Sequence, residues 1–346
     1  MFKTVSFSLI GWRHVRELSK YFNVYSIDED ALPRLYVNSQ PIVILHPYFY
    51  PIQKFGDMLL SKRFRFKRII GVDVADSNRI SNYAVELTSY ADAMIVPSNY
   101  ACKSYVDSGV RVPVHVIPHA LDDKYYTQPK TYSEKFNVIK GLKSKGYITL
   151  LTYCIHSPYR KGLDLAFKIH AKLLGEKLKV ALIVKTAMGL ALYLKPTHVA
   201  NGILEKYADK FINCGWLSDD DKISLYDLCD IYLLTSRGGG FELNGLEALA
   251  RGCITIAGRG GSWSEYMPPQ LLVSSKPSGV VLEGNPIHVG TGVELDVDEA
   301  CNLIYEIVCE RERYSEIVGG HVNRIRNVYS WVNVGLKLKS IVEKYV

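Results

Sequence analysis

The sequence predicts an α/β protein built from two doubly wound domains that face each other across a cleft. Short runs rich in β-branched residues alternate with longer amphipathic stretches, which is typical of βαβ units and parallel sheets. The alternation forms two series, separated by residues 122–146, which are rich in Lys, Tyr and Ser and only weakly periodic. A length of 346 residues also suits two domains of ordinary size.

The first series covers the N-terminal part of the chain. Its strand candidates are short apolar runs, and the text between them, for example over residues 12–21 and 79–90, is amphipathic and predicts helices. In chain order the candidates are Thr4–Leu9, Val24–Ile27, Ile42–Leu45, Arg68–Val72, Ala93–Val96 and Val114–Ile117.

The second series begins near residue 147 and shows the same alternation. Its most informative run is Ile231–Leu234, because a glycine-rich turn and a helix over residues 244–251 follow it, and Gly252 ends that helix. The strand candidates are Ile148–Tyr153, Val180–Val184, Lys210–Asn213, Ile231–Leu234, Thr255–Ile256 and Gly279–Leu282. A second parallel sheet is therefore expected.

The composition excludes several functional classes. The net charge of +7 favours an anionic ligand or surface without requiring nucleic acid, so we expect no nucleic-acid partner. The seven cysteines form no CxxC pair, which is typical of buried thiols in a reducing compartment. The N-terminus lacks the apolar run of a signal peptide, and no stretch approaches the roughly 20 apolar residues that span a bilayer. We therefore expect a cytoplasmic protein.

The glycine-rich turn after Ile231–Leu234 is the first functional signal. Gly238, Gly239 and Gly240 let backbone N–H groups approach a ligand closely, and the helix N-terminus that follows favours a phosphate. Glu247 lies one turn into this helix, where its carboxylate can accept hydrogen bonds from two ribose hydroxyls. The glycine triplet by itself fits an ordinary strand-to-helix turn equally well.

The wider segment 213–268 carries a more specific set of motifs. They are Gly215-Trp216-Leu217, Asp230, Thr235-Ser236, Gly240-Phe241, Leu246-Glu247-Ala248, Gly252 and Gly260-Gly261 with Glu265. In their order and spacing, these residues resemble the C-terminal donor-binding domain of retaining glycosyltransferase family 4, which has the GT-B fold.

Other parts of the chain fit the same resemblance, which is faint before residue 91. They are Ala93–Ser98, Val116–Asp122, Ser157–Asp164 and the helix that follows Tyr329-Ser330-Trp331. The resemblance implies a GT-B fold with an acceptor-side domain over residues 1–130 and a nucleotide-sugar-binding domain over residues 131–328. The C-terminal helix, at about residues 329–346, is expected to pack back on the first domain.

The resemblance also implies a donor site for a nucleotide diphosphate sugar, without a metal ion or cofactor. Arg160 and Lys161 are the expected pyrophosphate cations, because the departing diphosphate needs fixed positive charge. Lys185 is a further phosphate candidate at a strand end. A solvated basic turn is the alternative for the first two. The remaining expected donor contacts are Leu217, Arg237, Gly239, Gly240, Phe241, Glu242, Leu243 and Glu247.

The sequence departs from the family at residue 239 of the glycine-rich turn. The family has a Glu eight residues before Glu247, whereas this chain has Gly239; Glu242 then offers its carboxylate or amide to the donor sugar. On the acceptor side, Asp73 and Asp76 follow a strand end, where one of them can orient the acceptor hydroxyl or act as a base. Capping of a local helix explains them equally well. Our catalytic candidates are these two, Glu242 and Lys161.

Residues 54–68 suggest where an acceptor could be bound. This basic segment, interleaved with aromatic residues, can lie on an anionic membrane surface, which would place the protein peripherally at a membrane. An ordinary surface helix leading into a strand is the alternative. The basic residues are Lys54, Lys62, Arg63, Arg65, Lys67 and Arg68.

We therefore predict a metal-independent, retaining hexosyltransferase that uses a UDP- or GDP-sugar and acts on a glycan, lipid-linked, protein or small-molecule acceptor. One alternative is a metal-dependent transferase that uses the acidic triplet Asp28-Glu29-Asp30. A nicotinamide-dependent oxidoreductase is disfavoured, because the opening turn has Gly11 but no G-x-G-x-x-G pattern. Two others share the architecture: an epimerase or phosphorylase, and a degenerate transferase that only binds sugar nucleotides.

Overall fold

The computed structural model describes residues 6–34, 39–61, 65–186, 190–194 and 217–346. The chain divides into two compact units. The first comprises Met1–Leu121, Leu282–Gly290 and Asn327–Val346, and the second comprises Asp122–Val281 and Thr291–Arg326. The domain limits expected from the sequence, at residues 130 and 328, stay predictions.

The helices and strands alternate along both units. In chain order they are α1 Ser6–Leu18, β1 Ile42–Leu45, α2 Phe49–Ser61, β2 Arg68–Val72, α3 Asn82–Thr88, β3 Ala93–Val96, α4 Asn99–Asp107, β4 Val114–Val116, α5 Lys124–Thr127, α6 Asn137–Ser144, β5 Ile148–Tyr153, α7 Leu163–Gly175, β6 Val180–Lys185, β7 Leu190–Tyr193, α8 Asp219–Leu228, β8 Ile231–Leu234, α9 Leu243–Ala250, β9 Ile254–Gly258, β10 Leu272–Val273, β11 Ser275–Val280, β12 Thr291–Leu295, α10 Val297–Cys309, α11 Arg311–Val328 and α12 Trp331–Glu343.

The first unit is built on a parallel sheet with the strand order β1-β2-β3-β4. Its central strands are apolar on both faces, as parallel strands covered by helices are. One face packs against α2, α3 and α4. On the other face Ile70 and Ile95 share a core with Leu18 of α1 and with Val334 and Leu338 of α12.

The second unit is built on a larger sheet with the order β10-β9-β8-β5-β6-β7. Every neighbouring pair in it is parallel except β6 and β7. Because β5 and β8 are neighbours, the loops that follow them leave the sheet at the same edge. That edge is where ligands bind in open parallel sheets.

Most of the predicted strands are confirmed. Several begin and end at the expected residues, because each is a short, predominantly apolar run. These are Ile42–Leu45, Arg68–Val72, Ala93–Val96, Ile148–Tyr153 and Ile231–Leu234. The candidate Lys210–Asn213 lies outside the described residues.

Two predictions near the N-terminus are wrong. The described part of the Thr4–Leu9 candidate belongs to helix α1, whose Ile10, His14 and Leu18 recur every four residues and form its buried face. The run Val24–Ile27 is irregular, and Tyr25 within it is 88% exposed. Three of its four side chains are exposed, so the run has no buried face with which to join a sheet.

The stretch near residue 280 differs from the expected parallel strand. The candidate Gly279–Leu282 overlaps the end of β11, which pairs antiparallel with β12 in a separate two-stranded sheet. The apolar run there was too short to indicate which kind of sheet it joins.

The stretch 122–146, which resembles a linker in sequence, is structured in the second unit. It contains α5 and α6, and the Arg251 guanidinium donates hydrogen bonds to the carbonyls of Tyr125 and Gln128. The same guanidinium also pairs with Asp227. This arginine therefore holds the stretch against the sheet's helices.

Within the residues that the structure describes, no helix is both long enough and apolar enough to cross a membrane.

Candidate functional site

The loops after β5 and β8 contact each other directly in the second unit. Thr235 Oγ1 donates to the Lys161 carbonyl at 3.1 Å, and the Arg237 N–H donates to the Arg160 carbonyl at 2.7 Å. Gly162 makes this approach possible, since a Cβ at this residue would lie 1.9 Å from the Thr235 carbonyl oxygen. Its φ of +63° also lies in the left-handed region that favours glycine.

The expected cations converge on the glycine-rich loop. Lys161 Nζ donates to both carboxylate oxygens of Glu242 at 2.7 Å. One Nη of Arg160 donates to the Gly238 carbonyl at 3.2 Å and lies 3.9 Å from the Glu242 carboxylate. Arg160 and Glu242 are buried, at 4% and 3% exposure. The structure therefore brings these predicted residues together.

Glu242 occupies the space that a side chain at position 239 would need. A Cβ on Gly239 would lie 2.1 Å from Glu242 Oε1. The loop backbone is fixed around it, because Ser262 Oγ donates to the Gly239 carbonyl and Tyr266 Oη donates to the Glu242 carbonyl, both at 2.6 Å. The Glu242 carboxylate therefore lies directly beside residue 239.

Glu247 lies on α9 and is already engaged by two donors. Its Oε1 accepts from Lys222 Nζ at 2.9 Å, and its Oε2 accepts from Tyr226 Oη at 2.8 Å. Burial lowers the pKa of Lys222, but the charge of Glu247 and Asp219 outweighs this and the net pKa is raised. Sequence reasoning missed these partners, although Lys222 and Tyr226 lie four residues apart in α8 and therefore share a face.

Lys185 is the last residue of β6 and pairs in register with Tyr153 of β5. It is buried, and its Nζ donates to the Thr186 carbonyl. Burial first and the neighbouring charge of Lys222 second lower the pKa of Lys185 to about 8. A buried ammonium ion next to a second cation is well placed to bind an anion.

Arg237, one of the expected contacts of the sugar donor, supports the loop through its guanidinium. All five of its N–H groups donate: two to Asp164 at 2.6 and 2.7 Å, two to Glu294 at 2.8 and 2.9 Å, and one to the Tyr159 carbonyl at 2.8 Å. The guanidinium also stacks on the Tyr159 ring at 4.1 Å. These hydrogen bonds connect the loop to α7 and β12.

The remaining expected donor contacts surround the same loop. Gly240 is buried, and the half-buried Phe241 ring lies 5.6 Å from the Tyr266 ring. Leu243 is the half-buried first residue of α9. Leu217 is half-buried just before Ser218, the residue that caps α8.

The acceptor-side candidate Asp73 has a structural role in the first unit. Its carboxylate accepts the backbone N–H groups of Tyr48 and Phe49 at 2.9 Å and that of Val74 at 2.8 Å. These bonds cap the start of α2 rather than a helix near residues 77–79. Burial is the largest influence on Asp73 and raises its pKa despite these bonds.

Asp76 is half-buried and lies near His288, with its backbone N–H 3.4 Å from His288 Nδ1. In the acidic triplet, Asp30 pairs with Lys54 at 2.8 Å. No cluster of three or more His, Cys, Asp or Glu side chains suited to a metal ion occurs in the described ranges.

Comparison with known proteins places the site in a family. The profile of the family described as "Glycosyl transferases group 1" matches residues 149–282, which contain both loops and Glu247. The chain is 30% identical to uncharacterized protein 356 of Sulfolobus islandicus rod-shaped virus 1, over 99% of this chain and 96% of that protein. It is 25% identical to putative glycosyltransferase 45 of a Sulfolobus islandicus filamentous virus (isolate Iceland/Hveragerdi), over 78% of this chain and 72% of that protein.

Solved structures identify the fold as GT-B. Alr3699/HepE of Anabaena, solved with UDP and glucose, matches with a TM-score of 0.64 at 14% identity. The match covers 88% of this chain and 78% of that one. The GT-B architecture expected from the sequence is confirmed.

Proposed function

Because the chain belongs to the family of the rod-shaped-virus protein 356 and carries a group 1 glycosyltransferase domain, it is a glycosyltransferase, and we propose that it transfers a hexose from a UDP- or GDP-sugar to an acceptor hydroxyl. We further propose that the transfer retains the anomeric configuration and needs no metal ion. The acceptor is a glycan, a lipid-linked glycan, a protein or a small molecule.

One observation carries the donor proposal. Arg160 and Lys161 meet the glycine-rich loop at the edge where β5 and β8 end, directly before the N-terminus of α9. Two cations and a helix N-terminus together provide the fixed positive field that a departing diphosphate requires. Glu247, one turn along α9, is the proposed ribose ligand, and Lys222 adds positive charge next to it. The charge of Lys222 also lowers the pKa of Lys185, so a third cation lies close to this pair.

The same loop supports the alternative of a protein that binds sugar nucleotides without catalysing their turnover. Gly239 lacks the carboxylate of the family, and Glu242 is held by Lys161. Donor hydrolysis or transfer excludes this alternative, and product analysis separates a transferase from an epimerase or phosphorylase.

Contact with an anionic membrane through residues 54–68 stays a prediction. Residues 62–64 lie outside the described part of the chain. In the rest of the segment, Leu59 and Phe66 are buried in the core and Leu60 is exposed. Those buried residues are unavailable to a lipid surface.

A thermal-shift screen against UDP, GDP, ADP and their sugars tests the donor proposal. We expect stabilisation by one nucleotide and its sugar, because a ligand that binds only the folded state raises the melting temperature. Lys161→Met and Glu247→Gln should each weaken nucleotide-sugar binding about tenfold or more, the value of a charge-assisted hydrogen bond. Lys140→Met, which removes an exposed cation of α6, should leave it unchanged.

Unchanged affinity in both Lys161→Met and Glu247→Gln would contradict the proposed site. Transfer assayed in excess chelator tests metal independence, and the anomeric configuration of the product tests retention.

A further inference from the structure

Glu242 lies where it competes with a phosphate group for Lys161. Both of its carboxylate oxygens are 2.7 Å from Lys161 Nζ, and Oε1 is 3.9 Å from Arg160. The cations that the proposed function assigns to the diphosphate therefore face an anion supplied by the protein itself.

The carboxylate is confined to this position. Tyr266 holds the backbone of Glu242 through its carbonyl, and Ser262 holds that of Gly239. Gly239 leaves open the space in which the carboxylate lies, since a Cβ there would be 2.1 Å from Oε1. Because only 3% of the residue is exposed, the Glu242 carboxylate cannot simply turn to solvent when a phosphate group binds Lys161.

Ligands differ in what they offer the displaced carboxylate. A buried carboxylate that loses its cation keeps a desolvated charge unless other donors replace that cation. The diphosphate of a free nucleotide takes Lys161, brings further negative charge and returns no hydrogen-bond donor. A sugar attached to that diphosphate brings hydroxyl donors to the same loop.

We propose that Glu242 occupies the cation site in the absence of donor and gives up Lys161 in exchange for sugar hydroxyls. Glu242 thereby determines specificity: it makes the site favour a nucleotide sugar over the free nucleoside diphosphate, which is the product of transfer. This inference rests on the proposed function, because both assign the diphosphate to the same two cations.

Calorimetric titration of the full chain with inorganic pyrophosphate, UDP and UDP-glucose tests the inference. Glu242→Gln should bind pyrophosphate and UDP about tenfold more tightly than the unchanged chain, because Lys161 loses a charged partner. It should gain less or lose affinity for UDP-glucose, so that the preference for the sugar falls. The matched control Glu312→Gln removes an exposed carboxylate of α11 and should change neither affinity.

Two further variants serve as controls for this experiment. Glu242→Ala, which also keeps the backbone bond to Tyr266, should act in the same direction, and melting curves check that each variant is folded. In a Lys161→Met background, Glu242→Gln should strengthen pyrophosphate binding less than it does in the unchanged chain, because the Lys161 pair is already broken and the longer contact with Arg160, at 3.9 Å, remains.

The outcomes separate the two proposals. If Glu242→Gln and Glu242→Ala bind pyrophosphate no more tightly than the unchanged chain, the competition is refuted and the donor site stands. If the unchanged chain binds no nucleoside diphosphate or nucleotide sugar at all, the proposed function is refuted together with the inference.

Discussion

At the residue scale, two neighbouring cationic side chains of the site serve different purposes. The Arg237 guanidinium donates all five of its N–H groups to Asp164, Glu294 and the Tyr159 carbonyl. Lys161, in the neighbouring loop, pairs with the Glu242 carboxylate, which a ligand can replace. An arginine whose N–H groups are all engaged by the protein supports the site, whereas a cation whose partner can be exchanged can bind substrate.

Three histidines of the first unit are a second residue-scale feature. The His14 and His46 rings stack at 5.3 Å. Burial, with the charge of His46 as a smaller cause, lowers the pKa of His119 to about 3, and burial lowers that of His46 to about 4. Burial followed by the charges of both others holds the pKa of His14 well below its usual value. The folded unit therefore keeps these rings neutral.

We expect this cluster to make the protein acid-sensitive. Below a pH of about 6.5 the histidines of the unfolded chain bind protons, whereas those of the folded state stay neutral. Their contribution to the free energy of unfolding is therefore fully present above that pH and is lost as the pH falls towards the pKa values of the folded state. His46→Phe should reduce the loss between pH 6.5 and 4 by up to about 3 kcal/mol. Denaturant unfolding of both proteins at several pH values measures this difference. Parallel stability curves would contradict it.

At the scale of elements, the site depends on two loops held at one sheet edge. Gly162 is the contact point, because its missing side chain lets the loop after β5 reach the Thr235 carbonyl at the end of β8. This contact between the loops brings Lys161 to Glu242, so the distance between the two loops determines the positions of the cations.

Gly162→Ala should therefore damage both stability and nucleotide binding. The new methyl group would overlap a backbone oxygen 1.9 Å away, in addition to straining a left-handed residue, and should cost about 2 kcal/mol or more. Gly252→Ala is the matched control, since it has a similar positive φ with nothing within 4 Å of the new atom. It should cost only about 1 kcal/mol and leave nucleotide affinity unchanged. Equal effects in the two variants would show that the loop contact is unimportant.

At the scale of the whole molecule, the first unit is assembled from distant parts of the chain. Residues 282–290 return to it, with the Ser81 N–H bonded to the Ile287 carbonyl, and α12 covers one face of its sheet. Residues 1–121 alone would leave that face of Ile70 and Ile95 without its α12 cover.

The α12 interface gives a prediction at this scale. Leu338 is 1% exposed and Val332 is 66% exposed on the same helix. Leu338→Ala should lower the free energy of unfolding by about 2–5 kcal/mol, because it leaves a cavity against the sheet, and Val332→Ala by less than about 0.5 kcal/mol. Hydrogen exchange of β2 and β3 amides, measured in both variants, should rise only in the first. Similar exchange in the two would show that α12 does not support the sheet.

The sequence by itself determined the central strands, the GT-B resemblance, the loop that carries Lys161 and the helix that carries Glu247. Buried parallel strands, glycine-rich turns and helix ends are recognisable from local sequence patterns. Only the tertiary structure decided which of the polar residues are free to act. Glu242 and Lys161 are paired, Arg237 is saturated, Asp73 caps a helix, and Glu247 is held by α8. Each of these contacts joins residues more than twenty positions apart, so packing brings them together and no local pattern records them.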